Sequence, residues 1–526
     1  MSEIKISNLT FCYEGGYENI FDNVSFTLDT DRKLGLIGRN GRGKTTLLKL
    51  LQGIYEYTGS IVSPEDFEYF PFELKDSDEM LTGMELIEKW DPDNEYWRVC
   101  IELSELGLSP EILERSFGKL SKGEQTKVML AVLFSKENAF LLIDEPTNHL
   151  DIEGRELLGK YLNGKKGFIL VSHDRQLLNS CIDHVISINI DDIEVVKGNF
   201  ASWYENKSAR DAAEIKENLR LKRDIRRLSE SARRAEGWSD KVEKTKNGKQ
   251  SSGLKGDKGH IGHMAAKAMK RAKNIESRKL KAIDEKKGLL KNIEIAEELI
   301  LMPLKYHKER LIEVRNAGLA YDVGCDSGKS QAGSAGAKQI VEALSFSVDR
   351  GDKLVIEGRN GSGKSSIINY ILKESGIAGP ASCPVLTEGD FRVASGLKIS
   401  YVPQDTDRLS GLPESVIEGT DTDRTLFFSI LRKLDFGRDE LLRDMRELSS
   451  GQKKKVLIAK SLCERAHLYI WDEPLNYIDV FSRIQLENLI KKSDMTMIFI
   501  EHDMEFSRNV CNKTVRLQAP AGSQNT

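Results

Sequence analysis

The sequence predicts an α/β protein that contains two copies of one domain, because four short blocks recur in the same order in both halves of the 526-residue chain. The first block, at 38–46, returns at 358–366, an offset of 320 residues. The blocks that begin at 120, 141 and 170 return at 448, 469 and 499, with offsets of 328, 328 and 329. Nearly constant offsets indicate a duplicated domain of about 200 residues, with about eight extra residues at 375–391 of the second copy.

Each copy has the same predicted elements in the same order. Strand-like alternation opens both, at 3–13 and 310–321, and an apolar strand then enters a Gly-rich turn that is followed by a helical run. Later apolar segments, AFLLIDEP and HLYIWDEP, then GFILVSHD and MIFIEHD, favour buried strands of a mostly parallel sheet. The Gly-, Ser- and Ala-rich stretch at 322–338 is expected to be a flexible surface insertion in the opening hairpin of the second copy.

The segment between the copies has a different composition. Residues 205–310 hold 29 Lys and Arg against 17 Asp and Glu, a net +12, and because the whole chain carries −4 the remainder carries −16. Apolar residues recur at helical steps in 212–235 and 265–300, whereas the Gly-rich middle at 246–263 disfavours a helix. We therefore expect a long α-helical hairpin with its tip near 246–263. The predicted domains are 1–204, 205–305 and 306–526.

Composition excludes several classes of protein. The mean hydropathy is −0.41, and no apolar run approaches the roughly 18 residues of a membrane span. The first residues, MSEIKISNLTF, lack the basic and apolar regions of a secretory signal. Seven scattered cysteines without a C-x-x-C pair predict a reduced, cytoplasmic protein that has neither a disulfide framework nor a zinc site.

Both Gly-rich turns match the pattern G-x-x-x-x-G-K-[ST], in which glycines let the backbone wrap phosphate oxygens at a helix N-terminus. Lys44 and Lys364 are predicted to reach the β- and γ-phosphates of a nucleotide. A tight turn without a ligand is the alternative, but two complete matches between a strand and a helix argue against it. The predicted nucleotide-binding residues are Gly38, Arg39, Asn40, Gly41, Arg42, Gly43, Lys44, Thr45, Thr46, Gly358, Arg359, Asn360, Gly361, Ser362, Gly363, Lys364, Ser365 and Ser366.

An acidic pair ends an apolar strand in each copy. Glu145 follows Lys44 by 101 residues and Glu473 follows Lys364 by 109, a similar spacing that a chance solvated loop would not require. We expect each glutamate to polarise the attacking water as a general base. The metal ligands predicted for Mg²⁺ from these motifs are Thr45, Asp144, Ser365 and Asp472.

Together these motifs resemble those of the ATP-binding-cassette family, and the resemblance covers both copies, about four-fifths of the chain. It implies a fold of two P-loop ATP-binding-cassette domains joined by the long α-helical hairpin, with ATP and Mg²⁺ as cofactors. It also implies head-to-tail pairing, in which the signature motif of one copy (LSKGE or LSSGQ) closes over the ATP held by the other. The positions that match the family are Ser121, Gly123, Ser449 and Gly451 in the signature, the switch histidines His173 and His502, Asp151 and Asp479 in the D-loop, and the adenine-stacking Tyr13 and Tyr321.

Two departures from the family pattern affect these expectations. Gln404 stands where the family has its Mg²⁺-sensing glutamine, but the first copy has Phe72 there, and phenylalanine cannot coordinate a metal or a water. The first ATP site is therefore expected to sense Mg²⁺ differently or to turn over more slowly. Lys122 and Ser450 replace the second-position glycine of the signature, which is a milder change.

The joining of two cassettes by a basic helical segment resembles the ABC-F proteins, ATPases that act on ribosomes. Between 241 and 281 there are 13 Lys and Arg against three acidic residues, which suits a phosphate-rich partner, although a charge run alone is also typical of a solvated face. The resemblance implies a bacterial 70S ribosome as partner, contacted at the exit-site rRNA and the peptidyl-tRNA. It also implies a monomer that pairs its own cassettes.

Several segments, among them IDEPTNHLD, GNFASWYE and LYIWDEPLNYIDVFSR, look most like the Lsa- and Vga-type resistance proteins of that family. The resemblance implies protection against lincosamides, pleuromutilins and streptogramin A, by drug displacement or by an allosteric change in rRNA. Two alternatives stay open: an ABC-F translation factor without a resistance role, and the ATPase half of an exporter.

Residues near the predicted hairpin tip are candidates to reach rRNA or tRNA. Trp238 is placed either to stack on a base or to pack between helices. His260 and His263 form an H-x-x-H pattern, but no third ligand accompanies it, so a metal site is not expected. The other tip candidates are Leu254, Ile261 and Met264.

Overall fold

The computed structural model describes residues 2–15, 19–148, 150–189, 192–246, 301, 303–321, 338–377, 383–406, 409–420, 422–434, 436–437 and 440–517. The chain divides into two compact units. One unit combines Met1–Ala201 with Leu299–Thr526, and the other is Ser202–Glu298. Both copies of the repeated domain therefore belong to one unit. Within the part of the chain that the structure describes, none of the helices combines the length and hydrophobicity of a membrane span.

The first copy consists of two sheets with helices packed against them. Its strands are β1 (Glu3–Phe11), β2 (Phe21–Asp29), β3 (Lys33–Ile37), β4 (Thr58–Val62), β5 (Asp66–Phe70), β6 (Ala139–Asp144), β7 (Phe168–Val171), β8 (His184–Ile188) and β9 (Ile193–Lys197). An antiparallel sheet has the order β2-β1-β4, and a second sheet has the order β5-β6-β7-β3-β8-β9. The second sheet is parallel except for β9, which pairs antiparallel with β8. β7 and all of β6 except its last residue, Asp144, are apolar, as expected for strands covered on both faces.

The helices of the first copy begin with local signals that the sequence contains. They are α1 (Lys44–Leu51), α2 (Gly83–Trp90), α3 (Tyr96–Glu105), α4 (Lys122–Ser135), α5 (Ile152–Gly164) and α6 (Arg175–Cys181). Ser121 caps α4 in a reciprocal capping box with Glu124, and Asp151 caps α5. Apolar residues of α1 pack between the two sheets with residues such as Ile6, Leu34 and Phe140, all of them buried.

The described part of the second unit, 202–246, belongs to helix α7 (Phe200–Lys246), which is 47 residues long. It includes the 212–235 stretch whose periodicity predicted a helix. The predicted partner helix at 265–300 and the tip residues 247–263, with His260 and His263, lie outside the described residues.

The second copy repeats the architecture of the first. Its strands are β10 (Arg310–Tyr321), β11 (Lys338–Asp349), β12 (Lys353–Glu357), β13 (Val385–Val393), β14 (Ile399–Val402), β15 (Leu468–Asp472), β16 (Met497–Ile500) and β17 (Lys513–Arg516). Its helices are α8 (Lys364–Glu374), α9 (Arg424–Lys433), α10 (Ser450–Cys463), α11 (Val480–Lys491) and α12 (Met504–Val510). The sheet orders are β11-β10-β13 and β14-β15-β16-β12-β17, which match the first copy except that none of the described strands corresponds to β9. The prediction of a duplicated α/β domain is confirmed.

Two insertions that the sequence predicts include residues outside the described part of the chain. The Gly-, Ser- and Ala-rich stretch at 322–338 lies beyond the described residues, apart from position 338 at the start of β11. The predicted insertion at 375–391 overlaps β13, which has nine residues where its counterpart β4 has five.

Candidate functional site

The Gly-rich turn of the first copy forms the floor of the site that we call site 1. Gly43 caps α1 with a φ of 87°, and a Cβ at this position would lie 2.6 Å from Ile20 Cγ2. Glycine is therefore required here for both conformation and space. The Lys44 ammonium group donates hydrogen bonds to the carbonyl of Gly38 at 2.8 Å and to Asn40 Oδ1 at 3.2 Å. These bonds hold the lysine across the mouth of the turn, where amides at a helix N-terminus favour an anion.

A hydroxyl and a carboxylate meet beside this turn. Thr45 Oγ1 donates a hydrogen bond to Asp144 Oδ2 at 2.7 Å, and the Tyr69 hydroxyl donates to the same oxygen at 3.1 Å. Burial raises the pKa of Asp144, although the bonds from Thr45 and Tyr69 oppose the shift. Hydroxyl and carboxylate oxygens are the hard ligands that Mg²⁺ prefers, so Thr45 and Asp144 fit the predicted metal site.

Glu145 follows β6 in a left-handed backbone conformation with a φ of 51°, a strained state that is common at functional sites. Its carboxylate oxygens are buried, and neither accepts an aligned hydrogen bond from a described residue. His173 Nε2 lies 3.2 Å from Glu145 Oε1. Burial and the neighbouring Asp144 carboxylate together raise the pKa of Glu145 to about 8. Burial and the Lys44 ammonium group lower the pKa of His173, so its imidazole is neutral.

Tyr13 stands at the edge of site 1, where the predicted adenine would lie. Its hydroxyl is 2.8 Å from Thr46 Oγ1, and its ring makes edge contacts with Phe11 and Tyr55. The residue is 44% exposed, which suits the predicted stacking on adenine. In the second copy the Tyr321 hydroxyl lies 3.3 Å from Ser366 Oγ, the corresponding contact.

Residues of the second copy complete site 1. A cavity of about 560 Å³ is lined by the turn, Asp144, Glu145 and His173 and also by Ser449, Ser450, Gly451 and Tyr477. Asn40 Nδ2 donates a hydrogen bond to the Tyr477 carbonyl at 3.0 Å, which joins the two copies directly. The structure therefore brings the second signature, LSSGQ, to the phosphate turn of the first copy, the head-to-tail arrangement that the family resemblance implies.

The corresponding turn in the second copy forms site 2. Lys364 Nζ donates to the carbonyls of Gly358 at 2.7 Å and Arg359 at 3.0 Å. Burial and the neighbouring Glu473 raise the pKa of the Asp472 carboxyl group to about 6, and the nearby Ser365 hydroxyl opposes the shift. Asp472 Oδ1 is buried without a hydrogen-bond partner among the described residues, which suits an oxygen that ligates Mg²⁺.

Glu473 in site 2 differs from Glu145 in its hydrogen bonds. Gln404 Nε2 donates to its Oε2 at 2.8 Å, and Asn476 Nδ2 donates to the same oxygen at 2.6 Å. Burial favours the neutral carboxyl group, but His502 and Lys364 outweigh this effect and lower the pKa of Glu473. The two predicted general bases therefore occupy unlike environments, although both have a left-handed backbone.

Phe72, which replaces the glutamine in the first copy, packs away from the phosphate turn. Its ring stacks on Trp90 with centroids 4.8 Å apart and an interplanar angle of 15°, and Lys136 Nζ lies 5.5 Å from its centroid. Site 1 thus has no counterpart of the hydrogen bond from Gln404 to Glu473.

The first copy also reaches toward site 2. Arg359 donates to both carboxylate oxygens of Glu153, with Nε–Oε1 at 3.1 Å and Nη2–Oε2 at 2.6 Å. Asp151 of the D-loop is close enough to Lys364 to favour its charged form. Ser121, in the first signature, accepts the amide of Glu124 as a helix cap, and its predicted contact with site 2 remains a prediction.

Two residues that contact the sites, Tyr69 and Lys454, were not predicted from the sequence. Tyr69 binds Asp144 and stands three residues before Phe72, as Tyr401 stands three before Gln404. Lys454 is buried, with its ammonium group donating to the carbonyls of Pro403 at 2.7 Å and Asp472 at 2.9 Å. Burial lowers the pKa of Lys454 to about 8. Tyr69 could have been predicted, because a tyrosine, Tyr401, occupies the same position of the second repeat.

The sequence matches the family described as ABC transporter over residues 21–148 and 341–476, which together make up half of the chain. The chain belongs to the ABC transporter family. Each match includes a phosphate turn and its Asp-Glu pair, so the chain contains two ATP-binding cassettes of this family, and their presence indicates ATPase activity.

Relatives extend the similarity across both cassettes and the segment between them. The ribosome protection protein VmlR of Bacillus subtilis is 25% identical over 95% of this chain and 84% of that protein. ATP-binding protein Uup of Caulobacter vibrioides is 26% identical, over 96% of this chain and 76% of its own length. ABC transporter F family member 5 of Arabidopsis thaliana is 23% identical over 98% of this chain and 75% of that protein. The chain is thus similar to an ABC transporter F family member along nearly its whole length.

A solved structure supports the fold. The archaeal ribosome recycling factor aABCE1, in complex with the ribosomal stalk protein aP1, superposes with a TM-score of 0.60 at 19% identity. The similarity covers 97% of this chain and 87% of that one. It confirms the predicted α/β class with two P-loop cassettes.

Proposed function

We propose that this ATPase binds the bacterial 70S ribosome at the tRNA exit site and protects the peptidyl transferase centre from antibiotics of the lincosamide, pleuromutilin and streptogramin A type. The observation that carries the proposal is the similarity to a ribosome protection protein along 95% of this chain. The net charge of +12 in residues 205–310 supports it, because a basic segment suits a partner that is rich in phosphate.

The helical segment offers a defined basic surface. Four exposed basic residues of α7 follow each other at steps of four, three and four, which places them on one face of the helix. They are Lys216, Arg220, Arg223 and Arg227. We infer that this face binds phosphates of the exit-site rRNA or of the peptidyl-tRNA.

ATP closes the two cassettes in this proposal, and the chain works as a monomer whose own cassettes pair. Site 1 supports the pairing, since its cavity is lined by both cassettes and Asn40 bonds across to Tyr477. The closed form is the one that fits the ribosome. Closure advances the helical segment toward the drug site, and bound drug leaves by displacement or through a change in rRNA.

Hydrolysis releases the factor. Glu473, whose lowered pKa keeps it ionised, accepts a proton from the attacking water, and Glu145 does so in its ionised form. His173 and His502, which lie next to these glutamates, contact the γ-phosphate. Mg²⁺ supplies charge neutralisation on the phosphates when it is bound by Thr45 and Asp144, or by Ser365, Asp472 and Gln404. ATP is thus a timed latch, and no bond in the drug is made or broken.

Ribosome binding by a hydrolysis-deficient variant tests this latch. The double change Glu145→Gln and Glu473→Gln removes both general bases but keeps the shape of the sites. With ATP present, we expect a larger fraction of this variant than of the wild type to pellet with 70S ribosomes. Glu88→Gln, on the exposed face of α2, is the matched control and should behave as wild type. Equal pelleting of the double variant and the wild type would refute the latch.

A second candidate function is that of an ABC-F translation factor, which regulates elongation or rescues stalled ribosomes without a resistance role. ATP-binding protein Uup, whose name states no resistance role, is 26% identical to this chain, about as similar as VmlR at 25%, and this similarity supports the second candidate. Both candidates require ribosome binding, and drug susceptibility separates them. The exporter alternative predicts no nucleotide-dependent pelleting with ribosomes at all.

A further inference from the structure

Arg175 crosses from the first cassette into an acidic cluster of the second. It is the first residue of α6, two residues after His173, and its side chain is 5% exposed. The guanidinium forms an ion pair with Glu487 of α11, and its Nε lies 3.4 Å from Glu505 Oε2. Asp503 Oδ1 is 4.0 Å from Nη2. One buried cation of the first cassette thus faces three carboxylates of the second.

This ion pair bears directly on site 1. The short connection from Arg175 to His173 contains only Asp174, and His173 Nε2 is 3.2 Å from Glu145. Glu487 belongs to α11, which begins right after Asp479 of the D-loop. The pair therefore joins the switch-histidine loop of site 1 to the element of the second cassette that follows the D-loop.

The equivalent position in the other half of the interface has no such pair. Met504 stands where the repeat offset of 329 places the counterpart of Arg175, and Gly159 stands where the offset of 328 places the counterpart of Glu487. Instead of an ion pair, this half contains a cavity of about 260 Å³. Its lining includes Arg155, Glu156, Gly159, Asp174, His502 and Met504.

The two halves of the interface must therefore separate differently. When the half at site 1 opens, buried charges have to part and be hydrated together, because removal of one partner alone leaves the other uncompensated. Close charge pairs across interfaces mainly slow dissociation. When the half at site 2 opens, a methionine leaves a partly open cavity. The ion pair between Arg359 and Glu153 also parts there, but its side chains are 61% and 65% exposed, so its separation costs little.

We propose that Arg175 is a positioning residue that keeps the switch-histidine loop of site 1 against the second cassette, so that site 1 retains its nucleotide longer than site 2. The hydrogen bonds at the two general bases agree with this division, because Glu473 accepts two amide donors and Glu145 accepts no aligned one among the described residues. Site 1 then acts as the lasting clamp and site 2 as the site that turns over. This inference rests on ATP binding at both sites, which is part of the proposed function.

Nucleotide release from the hydrolysis-deficient chain tests the inference. The Glu145→Gln and Glu473→Gln protein is loaded with ATP labelled at the α-phosphate and chased with unlabelled ATP. We expect two phases of equal amplitude, of which the slow one disappears when Lys44→Ala is added. Arg175→Met, which copies the residue of the other half, should speed the slow phase on the order of tenfold and leave the fast phase unchanged.

Two further variants exclude a mere folding defect. Arg175→Lys keeps the charge and should restore most of the slow phase. Met504→Arg combined with Gly159→Glu rebuilds the ion pair at the equivalent positions of the other half and should slow the fast phase, a gain that a damaged fold cannot produce. Two nucleotides released at one rate, or a slow phase unaffected by Arg175→Met, would overturn the inference alone. A chain that retains no nucleotide would overturn the proposed ATP sites and the inference with them.

Discussion

Replacement of Gly451 with alanine probes the contact that joins the two cassettes at site 1. A Cβ at this position would lie 2.4 Å from the Tyr477 carbonyl oxygen, whereas real Cβ contacts essentially never fall below 3.0 Å. The carbonyl must therefore move by at least 3.0 − 2.4 = 0.6 Å. The same oxygen accepts the Asn40 amide at 3.0 Å, so a shift of this size distorts that hydrogen bond.

The loss of one neutral hydrogen bond costs about 1 kcal/mol, which corresponds to a change of about fivefold in the closure equilibrium. We expect Gly451→Ala to raise the ATP concentration for half-maximal hydrolysis by at least that factor. The steady-state ATPase rate, measured over a range of ATP concentrations, gives the value directly. Thermal unfolding checks that the variant is folded.

Gly164→Ala is the matched control, because no heavy atom lies within 4 Å of a Cβ at that position at the end of α5. Its ATP dependence should equal that of the wild type. Gly451→Ala and Gly164→Ala could instead give the same dependence of ATPase rate on ATP concentration. The hydrogen bond between Asn40 and Tyr477 would then not contribute to closure of the cassettes, and the head-to-tail arrangement at site 1 would be wrong.

Three other predictions concern the general base of site 2, a buried carboxyl group and the helical segment. Gln404→Phe gives site 2 the residue found at Phe72; in a Glu145→Gln background it should lower the ATPase kcat roughly 10- to 100-fold, because a hydrogen bond to a charged group contributes about 1.5–3 kcal/mol. Burial raises the pKa of Glu501 to about 7 from an ordinary value of 4.5, despite the opposing charge of Arg483. The folded state then binds the extra proton, so the free energy of unfolding should fall by about 3 kcal/mol as the pH rises from 4.5 to 7, and urea titrations of Glu501→Gln should lack this slope. Replacement of three basic side chains of α7 with glutamine should reduce the salt dependence of ribosome binding by about 2 in log–log slope. The three are Arg220, Arg223 and Arg227.

Much of both sites could be predicted from sequence, since each motif specifies a local backbone geometry. The phosphate turns place Lys44 and Thr45 at a helix N-terminus wherever the turn occurs. Parallel strands end at one edge of a sheet, which brings Asp144 to Thr45 across 99 residues of chain. Repeated motifs at a constant offset then indicated the fold of the second cassette from that of the first.

Other features depend on tertiary contacts that no local pattern encodes. In the sequence, Arg175 looks like an ordinary first residue of a helix. No local pattern predicts its ion pair, because its partner Glu487 is 312 residues away. Lys454 is one of three consecutive lysines, a pattern typical of an exposed surface, yet its side chain is buried among backbone carbonyls. The repeat could still have drawn attention to Arg175, because the aligned position in the second cassette is Met504. Where the motifs of the two copies agree, a residue that differs between them indicates a position at which the two ATP sites differ.

Drug susceptibility of a sensitive bacterium tests the central claim most directly. The wild-type chain and the Glu145→Gln and Glu473→Gln variant are expressed at equal levels, and the minimum inhibitory concentrations of a lincosamide, a pleuromutilin and a streptogramin A are measured. An aminoglycoside, which acts away from the peptidyl transferase centre, serves as the control drug. We predict that the wild type raises the inhibitory concentrations of the first three drugs, that the variant does not, and that the control drug is unaffected. Unchanged susceptibility to all three, from a wild-type chain that pellets with ribosomes, would contradict the protection role and favour the translation factor.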